Sequence, residues 1–283
     1  MEKPEMEFSA KKTLVNIVVY FLLFLAGDLC NSVVWDLLFS VLVLPVSEFY
    51  VLLRMSGNLL FTCLFFWAYT EKVLHLKMRD FGISFHIKSW GVLFAVLLSA
   101  FVVFAFLLIG KTRVNALEAN EIIWMVVSSV FIALKAGILE EMLFRGFIMR
   151  LLENRWNKCI AILLPSLLFG LAHILSMETF TVAGIVLLVL SGTLVGVMFS
   201  LVTYKGNSIA NSVVMHAVWN FVMITSILHI TTQEGYYGNP VFSIIIPSGN
   251  ILLTGAGFGV EASIIAILGY ACICAMTLYG RKK

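Results

Sequence analysis

Long apolar runs recur along this chain, and they constrain its fold more than any other feature. A run of about 20 apolar residues crosses the ~30 Å hydrocarbon core of a bilayer as an α-helix, which rises about 1.5 Å per residue. The composition agrees, since 61% of the 283 residues are hydrophobic and only 12% are charged, with a mean hydropathy of +1.01. We therefore predict an all-α fold, a polytopic transmembrane bundle of about eight helices that forms a single membrane domain over residues 1–283. The predicted spans are 13–45, 49–71, 89–110, 120–152, 158–175, 180–203, 207–230 and 259–279.

The basic residues predict the orientation of these spans. With the N-terminus inside, the external links contain only Lys111 and Arg113, and the other basic links are cytoplasmic. The positive-inside rule therefore predicts eight spans with both termini in the cytoplasm. The last external loop, 231–258, contains helix-breaking Gly and Pro but is apolar, so it can dip into the bilayer or cover the bundle. Because the net charge of +3 is spread over helix ends, we expect no nucleic-acid partner.

The five cysteines do not support a disulfide framework or a structural zinc site. Their number is odd, and no pair has the spacing of metal ligands. All of them lie in or beside apolar segments, where cysteine behaves as a small buried apolar side chain. They are Cys30, Cys63, Cys159, Cys272 and Cys274.

Three motifs bring ionisable or amide side chains into consecutive predicted spans in the second half of the chain. An ionisable group in the middle of a bilayer costs about 3 kcal/mol, so such residues are candidates for function. Together they indicate one buried polar site, which we interpret as a catalytic centre inside the membrane. The motifs are Glu140-Glu141-Met142-Leu143-Phe144-Arg145, Phe169-Gly170-Leu171-Ala172-His173 and His216-Ala217-Val218-Trp219-Asn220.

The two glutamates of the first motif are expected to have different neighbours. Adjacent residues point about 100° apart on a helix, so Glu140 and Glu141 cannot share one face. Glu141 and Arg145 are four residues apart, the spacing that brings a carboxylate beside a guanidinium. We predict that this pair fixes the helix and that Glu140 turns elsewhere, available as a general base. A buried salt bridge that only locks the helix is the alternative.

The other two motifs also have helical spacing. Phe169 and His173 are four residues apart, so the aromatic ring is expected one turn from the imidazole. His216 and Asn220 share a face in the same way. Each motif alone is also compatible with hydrogen bonds that pack helices together. Their joint occurrence favours catalysis.

In this order and spacing, the motifs resemble those of the CPBP (Abi) family of intramembrane endopeptidases. That family includes the type II CAAX prenyl protease, or Ras-converting enzyme, and its motifs are EExxxR, FxxxH and HxxxN or a close variant. The similarity is strongest over residues 120–228, and the segment 258–263 also looks like bacterial members. The resemblance assigns a catalytic core to residues 120–230.

The resemblance implies an intramembrane endopeptidase that hydrolyses a peptide bond of a membrane-associated protein or peptide. Glu140 and His173 would activate a water molecule for attack on the peptide carbonyl. His216 and Asn220 would donate hydrogen bonds to the oxyanion of the tetrahedral intermediate. The substrate would be a membrane-associated polypeptide, including lipid-modified ones, and the protein would be a multi-pass component of a bacterial cell membrane.

Supporting roles and cofactors follow from the same resemblance. Glu141 and Arg145 would hold the fourth helix, and Phe169 would pack against the catalytic histidine. We favour a mechanism without a cofactor, because the HExxH pattern of soluble zinc proteases is absent and an asparagine is a poor zinc ligand. The alternative is a zinc-dependent protease with the ligands His173, His216 and Glu140.

Two further classes of function compete with a protease. A transporter or channel would use the same residues as a proton relay, but no inverted repeat or pair of broken helices supports it. A non-catalytic immunity or scaffold protein would use the polar cluster only to brace the bundle.

Overall fold

The computed structural model describes residues 8–42, 47–177, 179–233, 235 and 238–279. Its α-helices are α1 Ala10–Phe39, α2 Ser47–Ala68, α3 Ser89–Ile109, α4 Ala119–Glu141, α5 Met149–Arg155, α6 Lys158–Ala172, α7 Val182–Gly206, α8 Ala210–Met223, α9 Ile251–Thr254 and α10 Ile264–Tyr279. Segments of π-helix follow α2 at Tyr69–Val73 and α4 at Met142–Ile148. Turns of 3-10 helix lie at Met78–Phe81, His173–Ser176 and Val260–Ala262.

Six helical segments are long and apolar enough to cross a membrane, which confirms the all-α polytopic bundle and a multi-pass membrane protein. They are Ala10–Phe39, Phe49–Val73, Ser89–Ile109, Ala119–Arg155, Lys158–Ser176 and Val182–Gly206. Where the seventh and eighth spans were predicted, the structure has the shorter helices α8 and α10.

Three predicted boundaries need correction. The first span, predicted over 13–45, is helical only to Phe39, and residues 43–46 lie outside the described part of the chain. The seventh, predicted over 207–230, is helical only over Ala210–Met223, and a turn and the β-strand Leu228–Thr231 follow it. The eighth, predicted to begin at 259, begins at Ile264, since a 3-10 turn precedes it.

A small sheet, absent from the sequence prediction, follows the ends of α3 and α8. Its strands are β1 Lys111–Val114, β2 Leu228–Thr231 and β3 Phe242–Ile245, in the order β1-β3-β2. β1 runs antiparallel to β3, and β2 runs parallel to it. Ile244 and Ile246 are buried with residues of α3 and α7 in one core cluster. The apolar loop 231–258 therefore covers this end of the bundle with part of a sheet.

At their N-terminal ends, α3 and α8 are connected by hydrogen bonds between the links that precede them. Ser84, before α3, donates a hydrogen bond from its hydroxyl to the hydroxyl of Ser208, before α8, over 3.0 Å. The backbone N–H of Ile209 donates to the carbonyl of Gly82 over 3.0 Å. The predicted cytoplasmic termini fall largely on residues 1–7 and 280–283, which lie outside the described residues.

Two glycines of α7 bring it into backbone contact with α6, the helix that ends at His173. A Cβ atom on Gly192 would lie 2.7 Å from the Cα of Gly170, and one on Gly196 would lie 2.7 Å from the Cα of Ser166. Both distances are far below a normal van der Waals contact. The small-xxx-small spacing therefore serves packing within the bundle, and it sets the position of His173.

Candidate active site

The glutamate pair lies at the junction between α4 and the π-helix Met142–Ile148. A π-helix closes its hydrogen bonds over five residues, which shifts the side chains that follow it relative to those of a regular α-helix. Such segments occur often at functional sites. Every residue from Met142 to Arg150 is buried, so the bundle fully surrounds this junction.

Glu141 and Arg145 form the ion pair expected from their spacing. Arg145 Nη1 donates to Glu141 Oε1 over 2.9 Å, and both side chains are fully buried. Arg145 Nη2 also donates to the carbonyl of Gly196 on α7 over 3.3 Å. The rings of Phe169 and Phe199 lie 4.6 and 5.2 Å from the guanidinium carbon, within the range of cation–π attraction. The pair therefore joins α4 to α6 and α7.

His216 connects the two glutamates, a contact that the sequence did not predict. Its Nδ1 lies 3.0 Å from Glu141 Oε1, and its Nε2 lies 3.8 Å from Glu140 Oε2. The carboxylate of the Glu141–Arg145 ion pair accepts hydrogen bonds, so the imidazole donates to it and Nδ1 carries a proton. The ring stacks on Phe199 with centroids 5.0 Å apart. The orientation of His216 and the proton on its Nδ1 are thus both fixed.

His173 ends α6 and is held by its own helix. Its Nδ1 lies 2.8 Å from the carbonyl oxygen of Phe169, which can only accept, so Nδ1 carries the proton. In the neutral ring the Nε2 atom is then left as an acceptor. The ring packs 4.5 Å from Phe169 and 6.2 Å from Phe258, measured between centroids. The predicted contact between Phe169 and His173 is therefore present.

His173, His216 and Asn220 line a single chamber. Its volume is about 50 Å³, and its walls are formed by α6, α7, α8, α10 and the residues before α10. Glu140 is beside it, through its 3.8 Å approach to His216, and its side chain is 23% exposed. Glu140 Oε2 is buried and has no hydrogen-bond partner among the described residues. The four residues predicted as catalytic are thus brought together at one place.

Two residues of the segment 258–263 also line this chamber, and neither was among the predicted site residues. Glu261 lines it and accepts a hydrogen bond from Trp219 Nε1 over 3.3 Å, while the Tyr270 hydroxyl donates to the Glu261 carbonyl over 3.1 Å. Phe258 also lines the chamber. The signal was the segment 258–263, which resembles bacterial family members although no motif marks it. Helical spacing predicts contacts only within one helix, so it could not place the segment 258–263 beside α6 or α8.

Across the part of the chain that the structure describes, no three His, Cys, Asp or Glu side chains are placed to hold one ion. The zinc alternative with the ligands His173, His216 and Glu140 stays a prediction that metal removal tests. His216 is further committed through Nδ1 to Glu141.

Comparison with known proteins agrees with the motif resemblance. The model of the family described as "Type II CAAX prenyl endopeptidase Rce1-like" matches residues 122–222. This range begins early in α4 and ends in α8, and it contains all three motifs. No curated protein and no solved structure matches the chain.

Proposed function

We propose that this chain, whose residues 122–222 match the Rce1-like family model, is a CAAX-type intramembrane protease that hydrolyses a peptide bond of a membrane-associated polypeptide with Glu140 as the general base. One observation carries this proposal. His173, His216 and Asn220 line a single chamber, and Glu140 Oε2, which has no hydrogen-bond partner among the described residues, lies 3.8 Å from His216 Nε2.

In the proposed reaction, Glu140 and His173 act on one water molecule. The Nε2 acceptor of His173 orients the water, and Glu140 takes its proton as the water oxygen bonds to the peptide carbonyl carbon. The chamber volume of about 50 Å³ has room for a few water molecules. When the tetrahedral intermediate collapses, the C–N bond breaks and Glu140 returns the proton to the leaving amine.

His216 and Asn220 stabilise the oxyanion in this scheme. Asn220 supplies its amide N–H. His216 donates from Nε2, and since Nδ1 donates to Glu141, this role requires the doubly protonated ring. The carboxylates of Glu141 and Glu140 lie 3.0 and 3.8 Å from the two ring nitrogens of His216. Glu141 is therefore a positioning residue that acts through His216.

The substrate is a membrane-associated protein or peptide, and the family acts on prenylated ones. We extend this to the present chain as a proposal. A fluorophore–quencher peptide with a farnesylated CAAX-type C-terminus is the direct probe. Sequencing the peptide termini in membranes of cells that produce the protein is a second test, which assumes no particular substrate.

The deciding experiment compares Glu140→Gln with Glu121→Gln, an exposed residue on the same helix. Gln keeps the shape of Glu but cannot take a proton, so Glu140→Gln should abolish cleavage while folding and thermal unfolding stay unchanged. Glu121→Gln should cleave as the unaltered protein does. Cleavage that survives Glu140→Gln would reject the glutamate mechanism. A chain that cleaves neither probe nor any membrane polypeptide would support the scaffold alternative.

A further inference from the structure

Three cavities follow one another from the catalytic chamber to the end of β2. The second, of about 370 Å³, shares Phe258 and Glu261 with the chamber. The third, of about 320 Å³, shares Ile230 and Val260 with the second. Together the second and third cavities form a groove between β2 and the segment 257–261, which we call the β2 groove.

The chamber itself is too small to receive a polypeptide. At about 10–15 Å³ of such volume per water molecule, its 50 Å³ corresponds to about four waters. A peptide must therefore occupy a neighbouring space to present its scissile bond. The β2 groove shares the wall residues Phe258 and Glu261 with the chamber and is several times larger.

The hydrogen bonds of β2 leave one edge of this strand open. The N–H of Phe242 donates to the carbonyl of Ile227, and the N–H of Ile246 donates to that of Thr231. Backbone groups alternate in direction along a strand, so the N–H and C=O of Ile230 point away from β3. Since the sheet order is β1-β3-β2, no other strand of the described chain pairs with this edge.

The lining of the β2 groove suits an uncharged peptide. Among the described residues that line the β2 groove, the only ionisable side chains are Glu261, at the chamber end, and His229. Burial lowers the pKa of the His229 imidazole, so this ring is neutral at neutral pH. Thr231, Thr232 and Gln233 offer hydroxyl and amide groups that a peptide backbone can use and an acyl chain cannot.

We propose that an extended, uncharged segment of the substrate binds in the β2 groove as a fourth strand on the open edge of β2. This inference rests on the proposed function, and it names the conformation and path of the substrate. Main-chain hydrogen bonds to Ile230 supply affinity, while side chains alternate between the groove and its opening. The segment then passes Phe258 to bring the scissile bond to Glu140 and His173.

The first experiment methylates, one at a time, six backbone amide nitrogens before the cleavage site of the farnesylated CAAX-type peptide. Strand pairing predicts that KM rises about tenfold at every second position, the loss expected for one hydrogen bond, with kcat nearly unchanged. Ile230→Pro in the protein should raise KM for the unmethylated peptide and remove this alternation. Thr112→Pro, on the other edge strand β1, is the matched control. The N–H of Asn115 donates to the carbonyl of Val241, and because backbone groups alternate in direction, the N–H of Thr112 points away from β3. It should leave KM unchanged.

The second experiment measures binding without cleavage. The same peptide with a benzophenone side chain is photocrosslinked to the Glu140→Gln protein, and the attachment sites are mapped by mass spectrometry. If the peptide crosslinks to β2 or to residues 257–261 but the unaltered protein does not cleave it, binding in the β2 groove is supported and the proposed protease activity is rejected. If the peptide is cleaved but crosslinks elsewhere, or if KM does not rise at every second methylated position, binding in the β2 groove is rejected and the protease activity is supported. Absence of both cleavage and crosslinks would reject both.

Discussion

The Glu141 carboxylate is bound by two partners at once, the guanidinium of Arg145 and the Nδ1–H of His216. All three groups are buried, and a buried charge that loses its partner destabilises a protein by about 3–5 kcal/mol. We expect Glu141→Gln to lower both thermal stability in detergent and activity, because Arg145 is left unpaired and His216 loses its acceptor. Glu140→Gln should lower activity alone. Equal stability of the two variants would contradict this division of roles.

Asn220 lines the chamber one helical turn after His216, and its effect should be specific to the transition state. Removing one oxyanion donor typically lowers kcat by about 10²–10³-fold, or about 3–4 kcal/mol. We expect Asn220→Ala to reduce kcat of peptide cleavage to this extent with little change in KM. A variant that raises KM and leaves kcat intact would show that Asn220 contacts the ground-state substrate instead.

Metal removal is a further test of the chemistry of single residues. Because His173 and His216 each donate through Nδ1, and Glu140 faces Nε2 of His216 at 3.8 Å, a proton-transfer site is the simplest account. We expect prolonged treatment with 1,10-phenanthroline to leave cleavage unchanged. A soluble zinc protease treated in parallel should lose activity. Loss of cleavage that added zinc restores would support the zinc alternative.

At the scale of secondary-structure elements, the contact between α6 and α7 fixes where His173 stands. Gly192 meets the backbone of Gly170, so a side chain there must push the two helices apart. We expect Gly192→Val to cost about 1–3 kcal/mol of stability, the range for overpacking, and to lower cleavage by displacing His173 from the chamber. Leu190→Ala, on the exposed face of α7, should change neither property. Thermal unfolding and peptide cleavage of both variants decide the question.

The elements also explain what could be predicted from the sequence. Contacts between residues four apart, such as Glu141 with Arg145 and Phe169 with His173, follow from helix geometry alone. Contacts between elements do not, so His216 with Glu141 and the location of Glu261 in the chamber were missed. Apolarity predicted the long helices, but it does not distinguish a helix from a strand in a short run such as 227–232. The sheet was missed for that reason.

For the whole molecule, the sheet constrains how many times the chain crosses the bundle. β1 and β3 are hydrogen-bonded, so the links before α4 and after α8 lie at the same end. An even number of passes must separate them, and these are α4–α5, α6, α7 and α8. Ser84, before α3, is hydrogen-bonded to Ser208, before α8, so these two links also lie at one end of the bundle. The number of passes between them must therefore be even as well. Although α8 has only 14 residues, it counts as a full pass. The β2 groove is therefore at the end opposite to the basic links.

Combined with the positive-inside rule, this arrangement predicts that the β2 groove opens on the outer side of the membrane. The sheet end contains Lys111 and Arg113, while Lys88, Lys158 and Lys205 lie at the other end. We expect Thr112→Cys to react with a membrane-impermeant maleimide in intact cells. The native Cys159, exposed in the first turn of α6, should react only after the membrane is permeabilised. Thiols surrounded by lipid should not react, because the impermeant reagent does not enter lipid. The reverse labelling pattern would put both the sheet and the substrate path in the cytoplasm.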